Sequence, residues 1–196
     1  MTDIDSRPNN AYIVGERVWL RLPTEEDAVG DWYDWFNDEE VSRYTDWRKP
    51  NTPENQVEFV RSRVNNGDDI VLAVIESETD KHIGIVSLSK INWLHRFGDI
   101  ALIVGDPVAR QKAVLGLEAF TLMLRFAFLK LNLLNVKGGY VSGQKHSESI
   151  LKALRFSEAG RVEDLFCIDG EMCDHVLVQL KQADWLARNK DPDQDG

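Results

Sequence analysis

Polar and apolar side chains alternate through Arg17-Val18-Trp19-Leu20-Arg21-Leu22, the period of a half-buried strand, and Pro23-Thr24 ends the run. Thr24 reads as a helix N-cap, with Asp27 at the position that reaches back to the cap amide, and Ala28, Trp32, Trp35 and Phe36 then recur at helical spacing. Thr52-Pro53 repeats the signal, followed by Val57, Val60 and Val64 on one face and Gly67 as the stop. Ile70–Glu76 and residues 82–88 are β-rich runs joined by a polar turn at 77–81. A third run, 99–104, follows Arg96-Phe97-Gly98, which predicts an antiparallel meander. A long helix is expected over 114–131, apolar on most of its circumference apart from a stripe of Glu118, Thr121 and Arg125, and therefore sandwiched against a sheet. Residues 136–142 read as a strand, 147–154 as a short helix, and 165–168 with 172–180 as a terminal hairpin about Asp169-Gly170. The order β-α-α-β-β-β-α-β-α-β-β predicts an α/β (α+β) domain: a mixed, mostly antiparallel central sheet flanked by helices.

The 196 residues suit one domain with one substantial core. Neither a low-complexity linker nor an internal repeat interrupts 12–188, so these are expected to form a single domain between polar tails at 1–11 and 189–196. Lys+Arg 23 against Asp+Glu 33 gives a net charge of −10. That field repels polyphosphate and anionic lipid, so neither nucleic acid nor a membrane is an expected partner. The longest apolar stretch, 114–134, carries Glu118, Arg125, Lys130 and Asn132 and is too polar to span a bilayer. Two cysteines make no disulfide framework, and the N-terminal residues lack the basic start and apolar run of a signal peptide, so the cytoplasm is expected.

The four histidines, His82, His95, His146 and His175, are scattered, with no pair at metalloprotease spacing. Cys167, Cys173 and His175 raise the question of zinc. A two-residue turn at Asp169-Gly170 pairs 167 with 172 and 166 with 173, pointing the cysteines to opposite faces, whereas a three-residue loop would let them meet. Nucleophile-elbow, Walker and dinucleotide fingerprints are absent. What remains is the junction from Ile100 to Ala119, where a strand runs into a loop carrying Arg110, Gln111 and Lys112 at the start of the long helix. Free amides and the positive helix end suit a phosphorylated ligand there, although the loop reads equally well as a solvated basic turn.

Four local segments carry a likeness. They are Gly15-Glu16-Arg17-Val18-Trp19-Leu20-Arg21, then Trp35-Phe36-Asn37-Asp38-Glu39-Glu40-Val41, then Ile83-Gly84-Ile85-Val86-Ser87-Leu88 leading through Ile91-Asn92-Trp93 to Gly98-Asp99-Ile100-Ala101-Leu102, and finally Gly116-Leu117-Glu118-Ala119. In this order, over roughly residues 15–185, the chain resembles the GCN5-related N-acetyltransferase (GNAT) family, especially the branch of ribosomal-protein and amino-sugar acetyltransferases. The resemblance implies acetyl-CoA as co-substrate, no metal, and acetyl transfer to a primary amine of a small molecule by direct attack in a ternary complex. A nucleotide-linked amino sugar is the first acceptor it suggests and a protein N-terminus the second; a GNAT-shaped binding or regulatory module is the non-enzymatic alternative.

In that family the pyrophosphate is cradled by Gln/Arg-x-x-Gly-x-Gly/Ala. The matching hexad is Gln111-Lys112-Ala113-Val114-Leu115-Gly116, in which Gln111 and Gly116 fit and Val114 replaces the first glycine. The pantetheine arm is implied along the backbone of the strand containing Leu102, Ile103 and Val104, splayed from the 136–142 strand, where Gly138-Gly139 would permit close approach. Gln144 stands for the asparagine of Asn-x-x-Ala-x-x-x-Tyr-x-x-x-Gly-Phe, while Leu151 replaces the tyrosine that protonates the thiolate and Arg155 the glycine, leaving His146 or water as donor. Asp99, where related sequences often carry Glu, is the first candidate base and His95 the second, although Asp99 also reads as a solvent-facing charge. Trp35, Tyr44 and Trp47, with Arg43 and Arg48, lie in the segment that forms the family's acceptor wall, with aromatic faces to stack on a sugar or base and arginines to fork onto phosphate. Trp32 and Trp35 also read as core. Exposed strands of the terminal hairpin offer a homodimer contact.

Overall fold

In the computed structural model, which describes residues 8, 10–45, 47, 49–64 and 66–189, eight strands lie side by side. They are β1 (Ile13–Val14), β2 (Val18–Arg21), β3 (Ile70–Glu76), β4 (His82–Asn92), β5 (Phe97–Val104), β6 (Asn135–Val141), β7 (Ser157–Ile168) and β8 (Glu171–Lys181). Their spatial order is β1-β2-β3-β4-β5-β6-β8-β7, and every neighbouring pair is antiparallel except β5 with β6. Arg48 and the expected tail residues 1–7, 9 and 190–196 lie outside the described residues.

The Thr24 cap forms as the sequence predicts: its hydroxyl accepts the Asp27 amide and the Asp27 carboxylate accepts the Thr24 amide. The expected single helix is broken, however. α1 (Glu25–Asp27) passes through a π-helical turn, Ala28–Trp32, into α2 (Tyr33–Trp35), because Gly30 takes a non-helical backbone at φ −84° and ψ −139°. A further short helix, α3 (Glu39–Ser42), is capped by Asp38, and α4 (Pro53–Val64) follows. After β5 come α5 (Pro107–Arg110), started by the Asp106 cap and Pro107, and the long α6 (Ala113–Leu129). α7 (Lys145–Ala153) and α8 (Gln182–Arg188) complete the set.

Two apolar clusters cover the two sheet faces. Because side chains alternate along a strand, Ile100 of β5, Val136 of β6 and Val176, Val178 and Leu180 of β8 point at α6, where Ala119, Phe120, Met123 and Ala127 meet them. The opposite face carries Ile85, Val71 and Ile103 against Ala28, Trp32, Trp35 and Val60. Glu118, in the polar stripe of α6, accepts the Glu16 and Arg17 amides at 2.6 and 2.9 Å and so ties the helix to the β1–β2 turn. At the start of β4, buried Asp27 accepts two bonds from Arg21 and lies 3.5 Å from His82 Nδ1, while His82 Nε2 donates to the Gly84 carbonyl at 2.9 Å.

The terminal hairpin turns at Asp169 and Gly170, both at positive φ (53° and 86°), the signature of a type I′ turn. Cys167 therefore pairs with Met172 and Phe166 with Cys173, the register that separates the cysteines; no metal-binding cluster occurs among the described residues. Among the described residues, no helix is long and apolar enough to cross a membrane.

Candidate functional site

β5 and β6 pair at only three positions, Phe97 with Asn135, Gly98 with Val136 and Asp99 with Lys137, and then part. The breach between Ile100–Val104 on one side and Gly139, Tyr140 and Val141 on the other is a cleft of about 600 Å³. Residues on both faces of the sheet line it. On the α6 face Phe120, Ile150 and Leu151 form the wall, with Gln144, Lys145 and His146 from the start of α7. On the opposite face the wall is α3 and the residues after it, Glu40, Val41, Tyr44 and Thr45, with Phe166 and His175 from the β7–β8 hairpin.

The cleft's inner surface is an open strand edge. Past Asp99, the β5 main chain faces a gap wide enough for an extended amide chain instead of a partner strand. α6 begins close by with Lys112 at its N-cap. Lys112 makes no side-chain cap, so the first amides of α6 are left for an anion. Arg110 reaches the cleft from α5; its guanidinium bonds Asp38 at 3.0 Å and lies 3.3 Å from Glu40. Lys112 turns away and pairs with Glu76 at 2.8 Å. The Lys112 ammonium and then the Thr79 hydroxyl hold the Glu76 carboxyl below the usual carboxylate range.

The residues singled out by the sequence divide accordingly. Leu102, Ile103, Val104, Gln144 and Tyr44 line the cleft. Gln111, Lys112, Ala113 and Val114 are exposed at the start of α6, and the Val114 side chain, 45% exposed, does not block the opening. Leu115 and Gly116 are buried instead: a Cβ on Gly116 would lie 3.3 Å from Leu102 and 3.4 Å from Val104, so this glycine serves close packing of α6 on β5.

Four assignments are corrected. Trp35 is core: it is 5% exposed, packs on His82 at 4.9 Å and fills the space beside Gly105 where a side chain would stand. Trp47 lies against Phe36 at 5.8 Å and is not part of the cleft wall. Asp99 sits in the last pair before the strands separate, where Lys137 across from it holds its carboxylate in an ion pair and Lys90 lies 4.0 Å away. His95 is exposed in the β4–β5 turn, at the far end of β5 from the cleft. Arg43 is at the rim, ion-paired with Asp169 beside a second cavity of about 280 Å³ that shares Tyr44 and Gly143 with the cleft.

Sequence reasoning missed the functional setting of Tyr140, Phe166 and His175. Tyr140 lies on the α6 face, where burial first and Glu148 second raise its phenol above the ordinary value, so it stays protonated. His175 had a signal only through the Cys167-Cys173 pattern, and the feature that exposes its setting is Gly139. A side chain on Gly139 would collide with the His175 imidazole and would lie 3.0 Å from the Val176 carbonyl.

Comparison with known proteins gives this geometry a family. The Escherichia coli K12 [Ribosomal protein uS5]-alanine N-acetyltransferase is 32% identical over 68 residues, 35% of this chain and 35% of that enzyme. The Escherichia coli K12 spermidine N(1)-acetyltransferase is 30% identical over 124 residues, 62% of this chain and 63% of that enzyme. The matched segments thus span about a third to two thirds of these relatives. Among solved structures, the ribosomal-protein-S5-alanine acetyltransferase of Vibrio fischeri superposes with a TM-score of 0.74 at 23% identity, covering 88% of this chain and 97% of that one. The Vibrio cholerae spermidine N-acetyltransferase in complex with CoA and spermine gives 0.72 at 20% identity, covering 88% and 99%. A family model described as the acetyltransferase (GNAT) domain matches residues 17–157, and the chain belongs to the GNAT family.

Proposed function

We propose that this chain is an acetyl-CoA-dependent N-acetyltransferase whose acceptor is a small, positively charged primary amine. The carrying observation is the breach between β5 and β6, lined from both sheet faces; in this reading a thioester enters from the α6 side and an amine from the α3 side. In this reading the main chain around Leu102, Ile103 and Val104 pairs with the pantetheine amides and Gln144 steadies the arm. The first amides of α6, with Gln111 beside them, take the diphosphate. The fit is favourable in shape and backbone chemistry, and Val114 leaves the entrance clear because its side chain faces solvent. A β5 amide aimed at the thioester oxygen would stabilise the oxyanion that forms on attack. Asp99 and His95 drop out as bases, and Tyr44 remains as an acceptor contact.

The charge of the acceptor mouth supports a cation. Glu40 lines the cleft and Asp169 and Glu171 the adjoining cavity; Glu40 shares its charge with Arg110 and Asp169 with Arg43, so Glu171, outside those pairs, is the acid that would meet a cation. The arginines that a diphosphate-linked sugar would need are committed, Arg43 to Asp169 and Arg110 to Asp38 and Glu40. A net charge of −10 further favours cations. A cytoplasmic setting suits the free thiols of Cys167 and Cys173. The test is CoA release from acetyl-CoA with spermidine, a peptide with N-terminal alanine, and a uridine-diphosphate amino sugar. Spermidine is expected to react fastest, and turnover of the sugar nucleotide alone would overturn the cationic acceptor. Calorimetric titration with acetyl-CoA checks the enzyme reading itself, which fails if millimolar ligand gives no heat.

A further inference from the structure

With Asp99 and His95 outside the cleft, the proposed reaction needs another group to take the amine proton, and we propose that His175 is that base. This inference rests on the acetyltransferase reading above. His175 stands on β8, on the sheet face opposite α6, paired with Val141 of β6 and diagonal to Gly139. Because Gly139 has no Cβ, the imidazole lies against the β6 backbone where β6 has left β5, at the wall of the cleft. Phe166 meets the ring edge-on, with centroids 5.3 Å apart and planes at 90°, and fixes its orientation. Neither ring nitrogen is taken by a hydrogen-bond partner among the described residues.

Other charged or titratable groups face the same space. They are Glu40 and Tyr44 from the α3 side, Arg110 from α5, Tyr140 from β6, and Lys145 and His146 from α7. Beside His175 on β8, Asp174 is engaged by Arg161 at 2.9 Å and accepts the Asp164 amide at 3.1 Å. Arg110 is clamped by Asp38 and Glu40, and Lys145 and His146 lie at the α7 mouth from which the thioester enters. His175 is therefore the neutralisable nitrogen base on the acceptor side. Imidazole suits the task because the neutral ring offers a nitrogen lone pair to the ammonium proton.

The proton balance is simple. An alkylammonium gives one proton to His175, and the neutral amine attacks the thioester carbon. As the tetrahedral species collapses, the C–N bond is kept and the C–S bond breaks. The second nitrogen proton passes to the thiolate to give CoA, and His175 returns its proton to water. A water molecule in place of the amine would follow the same route to acetate, which supplies a readout that requires no acceptor.

The experiment compares wild type, His175→Gln and Glu40→Gln in spermidine acetylation and in acetyl-CoA hydrolysis without amine, with acetyl-CoA binding measured for each. His175→Gln is expected to bind acetyl-CoA as wild type does, to lose about 100-fold in kcat for both reactions, and to lose the acid limb of the kcat/KM profile. His175→Ala is expected to regain activity with added imidazole. Wild-type rates and an unchanged pH profile in His175→Gln would overturn the proposal while leaving the enzyme reading intact. Loss of the acid limb in Glu40→Gln with its retention in His175→Gln would also overturn it, naming Glu40 as the base. A wild-type protein that binds acetyl-CoA yet neither acetylates nor hydrolyses would overturn both.

Discussion

A methyl group on Gly139 would collide with the His175 ring and press on the Val176 carbonyl at 3.0 Å, so either the ring leaves its contact with Phe166 or the β6 backbone shifts. Gly139→Ala is therefore expected to cost about 1–3 kcal/mol of stability, as other overpacked sites do. Turnover should fall further than that loss accounts for, because the imidazole is displaced; thermal melts beside kcat/KM separate the two effects. Single residues were legible where a strand or helix pattern fixed them. Leu102, Ile103 and Val104 reach the cleft because they end a correctly read strand, and Gln144 because it precedes a correctly read helix. Asp99 failed because its ion pair with Lys137 depends on a parallel register set by residues 38 positions away. His175 stayed hidden because Gly139, diagonal to it across the β6–β8 ladder, meets it only through that pairing.

Between β2, α1 and β4, a buried network joins Arg21, Asp27 and His82. Burial is the largest influence on His82 and pushes it below the ordinary value of 6.5, against the pull of Asp27. The unfolded chain therefore binds a proton that the folded chain refuses. The stability from this group is fully present above about pH 6.5 and is lost as pH falls through the lowered folded value. Burial would raise Asp27, but Arg21, Thr24 and His82 outweigh it and hold the carboxyl low, so its contribution is lost only below the ordinary Asp range, near pH 3.8. The melting temperature should decline from pH 7 to 5 in the wild type, and His82→Gln should flatten that slope. A slope unchanged by His82→Gln would assign it elsewhere. At this scale the meander and α6 were readable from periodicity. β7 was readable only over 165–168, because residues 157–164 of this edge strand are almost wholly exposed and, with two register shifts against β8, show no alternation.

The whole molecule carries opposite electrostatic problems for the two proposed substrates. A net charge of −10 attracts a polyamine and repels the anionic acetyl-CoA. Raising ionic strength from about 20 to 200 mM shortens the screening length roughly threefold. The KM for spermidine should rise severalfold over that range while the KM for acetyl-CoA holds or falls. Equal responses of both would argue against an acidic acceptor mouth. The architecture itself was legible because the order of elements survives local errors: the broken α1–α2 segment and the unforeseen α3, α5 and α8 change no strand neighbour.

The three-residue contact between β5 and β6 has a mechanical consequence. β1 to β5 form one antiparallel block and β6, β8 and β7 another, joined along the sheet by only that short seam. A donor arm lying along β5 would act as a stitch across the seam. Deuterium uptake at the amides of Ile100–Val104 and Gly139–Val141 should therefore slow sharply when CoA is added, while β2 and β3 exchange as before. On the proposed reading the ligand would serve as a ninth strand, and the two blocks would be held most firmly in the loaded protein.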